Sequence, residues 1–220
     1  MHRLGFILVF LLISCSTEMT FVERPIIFDA QRVKLTKEYL KDRYQLERDS
    51  ITIVPRMIVL HHTVIPTLDK TFEAFNAPTL PNWRPDIENV SGLNVSSQFV
   101  VDRDGTIYRL MPETYMARHV IGLNHCAIGV ENVGGTPEFP LTKAQVKANI
   151  KLVHYLAKKY DIDYLIGHHE YTAFEGHELW LEVDEGYRTK KNDPGDNFMQ
   201  KVRKATKRLN FKPVPEIKPH

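Results

Sequence analysis

Two histidine pairs and one aspartate are the residues of this sequence whose types and spacing suggest chemistry. His61-His62 follows the apolar residues 57–60, His168-His169 follows residues 164–166, and Asp193 lies further along the chain. Histidine is the commonest metal ligand, and a catalytic zinc takes three protein ligands and leaves one position for water. Successive side chains of a strand point to opposite faces, so one histidine of each pair can face a shared site. Periodicity leaves open which one.

Short β-rich runs predict the strands that would position these histidines. Residues 57–60 lead directly into the first pair, and residues 164–166 lead into the second through Gly167. Residues 97–101 and 106–111 flank an Asp-Arg-Asp-Gly turn at 102–105, which indicates a hairpin. Residues 127–133 predict a further strand that ends at two glycines. Residues 63–94 are rich in proline and predict a long irregular excursion with one helical turn near 72–75.

Helices are predicted at three places. Residues 142–160 combine a capping box, Thr142 with Gln145, with apolar residues at helical spacing. Residues 36–48 predict a surface helix capped by Thr36, and residues 195–209 a terminal helix. This order predicts an α/β fold, a single domain with a mixed central sheet flanked by helices.

The N-terminus predicts export. Arg3 is followed by an apolar run over residues 4–13 and by Leu12-Ile13-Ser14-Cys15, which is similar to the lipobox of bacterial lipoprotein signals. The run is shorter than the roughly 20 residues of a membrane-spanning helix. We therefore expect a signal peptide over residues 1–14, a lipid on Cys15 and a place on the periplasmic face of the cell envelope. Ser16 is compatible with the outer membrane.

Charge and cysteine content narrow the classes of function. The 220 residues include 29 basic and 27 acidic side chains, a balance that does not call for a nucleic-acid partner. The two cysteines are Cys15 and Cys126, so a lipidated Cys15 leaves no intrachain disulfide. Cys126 is expected to be a small buried residue, and a catalytic thiol is the alternative.

Five segments, in order along the chain, resemble the type 2 N-acetylmuramoyl-L-alanine amidase family, whose fold is shared by peptidoglycan recognition proteins and phage amidase-type lysozymes. They span about residues 56–200. The segments are Ile58-Val59-Leu60-His61-His62-Thr63, residues 97–106, Ala117-Arg118-His119 with Gly122-Leu123-Asn124-His125, Ile128-Gly129-Val130-Glu131, and Gly167-His168-His169-Glu170 followed by Lys191-Asn192-Asp193-Pro194-Gly195.

The resemblance implies a role for each matched position. It makes the chain a zinc (Zn2+) hydrolase that cuts peptidoglycan or muropeptides between the lactyl group of N-acetylmuramic acid and L-alanine. We also expect a monomer, with residues 15–50 as an N-terminal extension with a surface helix, 51–210 as the zinc amidase domain and 211–220 as a C-terminal tail. The implied site residues are His61, His168 and Asp193 on the metal, Glu131 and Lys191 in catalysis, and His119 and Asn124 on the substrate.

These residue types suit that chemistry. Zinc on two imidazoles and one carboxylate keeps a positive charge that polarises an amide carbonyl and lowers the pKa of water. Glu131 would move the proton from water to the leaving amine, and Lys191 would face the developing oxyanion.

The alternative function is a non-catalytic peptidoglycan-binding lipoprotein, which a lost metal ligand would mark. Gln98 and Ser97 depart from the family pattern, and residues 174–188 are an insertion that forms either a groove wall or a surface flap.

Overall fold

A six-stranded mixed sheet is the centre of the computed structural model, which describes residues 19–82, 87 and 89–216. The predicted signal peptide and Cys15 lie outside the described residues. Within them, no helix has both the length and the apolar character that a bilayer-spanning segment needs. Across the sheet the strands are β1 (Val22–Glu23), β4 (Ile107–Arg109), β3 (Phe99–Val101), β5 (Ala127–Asn132), β2 (Met57–Leu60) and β6 (Tyr164–Gly167).

The carboxyl ends of four parallel strands, β2, β3, β5 and β6, lie at one edge of this sheet. β2 pairs in parallel with both β5 and β6, and β3 pairs in parallel with β5. β4 returns antiparallel to β3 through the predicted hairpin, and β1 pairs in parallel with β4. β1 therefore runs opposite to β2, β5 and β6. Side chains that follow β2 and β6 and those at the end of β5 meet at the same edge.

The helices are α1 (Ala30–Tyr44), α2 (Leu68–Asn76), α3 (Lys143–Lys159) and α4 (Asp196–Ala205), with 3-10 helices at His168–Phe174 and Lys207–Leu209. The predicted capping box of α3 is confirmed: Thr142 accepts from the Gln145 backbone, and the Gln145 side chain accepts from the Thr142 backbone. The predicted terminal helix is α4 plus the second 3-10 turn. The helical turn expected near 72–75 is a nine-residue helix.

The predicted start of the first helix was wrong. Helix α1 begins six residues earlier, at Ala30, where the Asp29 carboxylate accepts from the Arg32 backbone N–H. Thr36 lies inside the helix, and its hydroxyl donates to the Arg32 carbonyl. The helix ends at Tyr44, earlier than expected, because Gln45 takes a left-handed conformation with φ of 54°. The helix buries Tyr39, Leu40 and Tyr44, so it packs into the protein with one face.

Both faces of the sheet are covered, and alternation assigns residues to them. Ile58 and Leu60 of β2 pack in one apolar cluster with residues of α3, while Met57 and Val59 pack in a second cluster on the other face. The same alternation puts His61 on the face of Met57 and Val59. The candidate site lies on that face, at the carboxyl edge of the sheet.

Candidate metal centre

His61, His168 and Asp193 come together at the carboxyl edge of the sheet. Each offers one ligand atom, these atoms lie within 4.8 Å of one another, and all three residues are buried. Asp193 Oδ2 is 3.3 Å from His61 Nδ1 and 3.1 Å from His168 Nδ1. Tetrahedral zinc with bonds of about 2.1 Å separates its ligand atoms by about 3.4 Å. The cluster therefore has the donor types and the spacing that a zinc ion requires.

Backbone hydrogen bonds fix His61 just after β2. Its N–H donates to the Val130 carbonyl at 2.8 Å, and its carbonyl accepts from the Asn132 backbone at 3.1 Å and from the Asn132 amide at 2.9 Å. The Asn132 side chain is oriented in turn by Asn149 of α3, which donates to it at 2.7 Å. The helix on the opposite face thus holds the first ligand of the cluster.

Glu170 fixes the strand end before His168. Its carboxylate accepts from the Gly167 backbone N–H at 2.7 Å and forms a two-pronged ion pair with Arg203 of α4. Charge-assisted pairs of this kind combine strength with a defined orientation. Helix α4 thereby fixes the backbone at the end of β6, from which the His168 side chain projects.

His62 and His169, the second histidines of the two pairs, make contacts outside the ligand cluster. His169 donates through its backbone N–H and through Nδ1 to the Asp193 carbonyl, at 3.0 and 2.9 Å, and its Nε2 lies 3.0 Å from the Asp196 carboxylate. His62 packs against Gly135, where an added Cβ would lie 2.2 Å from the His62 ring. Strand periodicity left the choice within each pair open, the family resemblance named His61 and His168, and neither gave His169 a role. In the fold, the hydrogen bonds of His169 to the Asp193 carbonyl hold the backbone of the loop at Asp193 in place.

The charge state of the cluster suits a dication. Burial favours a neutral Asp193 carboxyl, but the neighbouring His168 and His61 outweigh burial and hold its pKa well below the usual value. Burial, followed by the nearby His61, lowers the pKa of His168 to about 4, and Lys191 contributes in the same direction. A carboxylate beside a neutral imidazole is the form in which these groups bind metal.

His119 and Asn124, the predicted substrate contacts, lie beside the cluster. His119 Nδ1 is 3.0 Å from His61 Nε2, and its own Nε2 is 3.3 Å from the Ala127 carbonyl. Burial lowers the pKa of His119 well below the usual value. Asn124 Oδ1 accepts from the backbone N–H groups of His119 and Val120, both at 2.8 Å. Both residues also reach the cavity described next, and substrate contact stays a prediction for each.

A cavity of about 850 Å³ opens over the cluster. Glu131, at the end of β5, and Lys191, two residues before Asp193, both line it and both are half-buried. Alternation along β5 puts Glu131 on the face of Gly129, the same face as His61. A carboxylate and an ammonium group thus reach the cavity that His168 and Asp193 also line, without belonging to the cluster of candidate ligands.

The insertion 174–188 and the residues before Lys191 form one wall of this cavity. Tyr187 and Arg188 line the cavity, and Tyr187 Oη accepts from Arg118 at 3.3 Å. Glu182 pairs with Arg43 of α1 at 2.6 Å, which ties the insertion down. The Trp180 ring lies over Gly122, where an added Cβ would be 2.6 Å from it. The insertion is therefore both a packed segment and a wall.

The two departures from the family pattern and the free thiol have structural partners. Gln98 donates to the Tyr115 carbonyl at 2.8 Å and accepts from the Gly129 N–H at 2.7 Å. The Ser97 hydroxyl donates to the Phe99 carbonyl at 2.9 Å. Cys126 is buried, as predicted, and burial raises its thiol pKa to about 12. A protonated, enclosed thiol is a poor nucleophile.

Comparisons with known proteins agree with this fold. The endolysin of Escherichia phage T7 is 35% identical over 83 residues, which are 36% of this chain and 55% of the endolysin. The chain therefore spans about half the length of the curated relatives that it matches.

Two solved structures share the fold. The AmpD structure, a selenomethionine derivative, has a TM-score of 0.52 and 20% identity and covers 84% of this chain and 93% of its own. Peptidoglycan recognition protein-LE in complex with tracheal cytotoxin has a TM-score of 0.51 and 15% identity, with 90% and 96% covered. The model of the family Amidase_2, N-acetylmuramoyl-L-alanine amidase, matches residues 40–196, most of the chain, and the chain belongs to that family.

Proposed function

We propose that this protein hydrolyses the amide bond between the lactyl group of N-acetylmuramic acid and L-alanine in peptidoglycan. One observation carries the proposal: a buried ligand set of two imidazoles and one carboxylate at the cavity that Glu131 and Lys191 line. Membership of the amidase family supports it. Peptidoglycan or its muropeptide fragments are the proposed substrates, and the proposed working form is a monomer.

Zinc is the proposed cofactor, held by His61, His168 and Asp193. The mixed nitrogen and oxygen donors, their spacing and their burial fit it, and three protein ligands leave a position open. When bound, zinc in such a set acts as a Lewis acid on an amide carbonyl and lowers the pKa of water toward about 7. A purely structural zinc would ordinarily have four protein ligands.

The chain's own groups divide the remaining work. The Glu131 carboxylate takes a proton from the attacking water and delivers it to the nitrogen of the leaving L-alanyl group. The Lys191 ammonium lies on the same chamber and opposes the negative charge that develops on the carbonyl oxygen. Tyr187 and Arg188 of the insertion wall and Arg118 line the same cavity beside these charges.

Digestion of purified peptidoglycan tests this proposal. The protein without residues 1–15, loaded with zinc, should release stem peptides with a free L-alanyl amine and leave glycan strands with free lactyl carboxyl groups. Mass spectrometry of the products identifies both ends, and a chelator should stop the reaction. Should zinc-loaded protein bind peptidoglycan and release neither product, hydrolysis is excluded. The alternative, a peptidoglycan-binding lipoprotein, would then describe the chain.

Export and lipid anchoring are proposed from the lipobox ending at Cys15. We expect Cys15→Ala to move the protein out of the membrane fraction, because a lipid on that cysteine would be the attachment. Detergent phase partitioning and membrane fractionation measure the change. Cys126→Ala is the matched control, since this buried cysteine should leave partitioning unchanged. Identical partitioning of Cys15→Ala and the unchanged protein would rule out the lipid anchor.

A further inference from the structure

We infer that His119 is a positioning residue that selects the tautomer of the metal ligand His61. The inference rests on the proposed metal centre and adds to it a residue that does not touch the metal. It starts from a chain of two side-chain contacts: His61 Nε2 lies 3.0 Å from His119 Nδ1, and His119 Nε2 lies 3.3 Å from the Ala127 carbonyl oxygen. The two rings meet edge to face, at 88° and with centroids 5.1 Å apart.

The carbonyl at the end of this chain decides where the protons lie. A backbone carbonyl only accepts, so His119 must carry its proton on Nε2 to bond Ala127. A metal that binds His61 through Nδ1 leaves the proton of that ring on Nε2, which faces His119 Nδ1. His119 Nδ1 is then an acceptor, and its partner, His61 Nε2, must donate. The remaining lone pair of His61 lies on Nδ1, the atom nearest to Asp193 and the one that a metal needs.

A metal-binding histidine carries one ring proton, and two acceptors near His61 compete for it. Asp193 Oδ2 lies 3.3 Å from Nδ1, and His119 Nδ1 lies 3.0 Å from Nε2. Bonding to Asp193 would place the proton on the very atom that must bind the metal. Bonding to His119 instead places the proton on His61 Nε2, on the opposite side of the ring. Loss of this acceptor should therefore weaken metal binding although every ligand is still present.

Asn124 and Gly129 hold His119 in place from two sides. The backbone N–H of His119 donates to Asn124 Oδ1, and the Asn124 amide donates to the Tyr44 hydroxyl of α1 at 3.0 Å. Gly129 of β5 leaves room for the ring: a Cβ there would lie 2.8 Å from His119 Cγ. Gly129 does not have a left-handed φ, so space against the ring, and not backbone strain, accounts for the glycine.

Two substitutions of His119 separate the acceptor from the bulk of the ring. His119→Phe keeps the ring volume and removes both nitrogens. His119→Asn places Oδ1 on Cγ, where histidine has Nδ1, and so retains an acceptor toward His61. We expect His119→Phe to weaken zinc binding by about 10–100-fold, the usual effect of losing a partner behind a metal ligand. His119→Asn should recover most of the affinity.

Chelator competition measures the zinc dissociation constant, and NMR of the zinc-loaded protein follows the His61 Nε2–H proton. In the unchanged protein this proton should be protected from exchange with water, and His119→Phe should expose it. His154→Phe, on the exposed side of α3, is the matched control. Melting of the zinc-free variants checks folding.

Gly129→Ala provides a second route, because it displaces the His119 ring without changing it, and Gly92→Ala is its control at an exposed glycine with room for a Cβ. Should Gly129→Ala and a folded His119→Phe both bind zinc as tightly as the unchanged protein, the inference is wrong. It is equally wrong if His119→Asn binds as weakly as His119→Phe. Zinc binding that responds to His119 in a protein without hydrolytic activity would refute the proposed function and leave the inference standing.

Discussion

Glu131→Gln is expected to lower the rate of peptidoglycan hydrolysis by about a hundredfold or more, the usual scale of general acid–base help. Glutamine keeps the size and the hydrogen-bonding capacity of the side chain but cannot take a proton from water. Because Glu131 lines the cavity and is not among the clustered ligands, zinc content and affinity for peptidoglycan should persist. Turnover of a soluble muropeptide, metal analysis and pull-down with insoluble peptidoglycan measure the three quantities.

Glu138→Gln, at an exposed position after β5, is the matched control and should leave turnover unchanged. Loss of zinc from Glu131→Gln would contradict the assignment by making Glu131 a ligand or its support. Undiminished turnover of Glu131→Gln would also contradict the assignment, because another group would then have to transfer the proton. Binding without cutting is the result that identifies Glu131 as the general base.

Asp193→Ala is expected to remove both zinc and activity. The variant loses the oxygen donor shared by His61 and His168, and two imidazoles remain. The loss of affinity should be at least as large as the roughly 10–100-fold that follows from removing an outer partner of a ligand. Metal analysis after dialysis against a weak chelator measures occupancy, and the muropeptide assay measures activity.

Two variants accompany this test. Asp161→Ala, on the exposed segment before β6, should keep full occupancy. His62→Ala should also keep its zinc, because His62 lies outside the ligand cluster. If Asp193→Ala retains zinc while His62→Ala loses it, the ligand set is wrong. The two histidine pairs would then present the opposite members to the metal.

The strands and the place of the site were predictable because short apolar runs lead directly into the histidines. The strand pattern alone did not choose between His61 and His62, and the family resemblance named His61. Residues 57–60 are all buried, since helices or loops cover both faces of the sheet. A strand buried on both sides reads as a continuous apolar run without alternation, so the sequence carries no sign of which face holds the site. The packing of Met57 and Val59 supplies that information.

The elements that sequence reasoning missed share a lack of local signal. Strand β1 has two residues and is held by its pairing with β4, a contact distant in sequence. Helix α1 ends at Tyr44 because Gln45 is left-handed, and glutamine does not predict that conformation as glycine would. The contact between His61 and His119 joins residues 58 positions apart. Such features depend on tertiary structure, which outweighs local propensity.

The direction of β1 determines how close a lipid anchor on Cys15 would lie to the candidate metal centre. Because β1 runs opposite to β2, β5 and β6, the chain enters it from the edge that carries the metal ligands. Seven residue steps separate Cys15 from Val22, a covalent reach of at most about 25 Å. Four strand spacings of about 4.8 Å separate β1 from β2. A lipid at Cys15 would thus act as a short tether on the working side of the protein, and would confine cutting to the layer of wall nearest the bilayer.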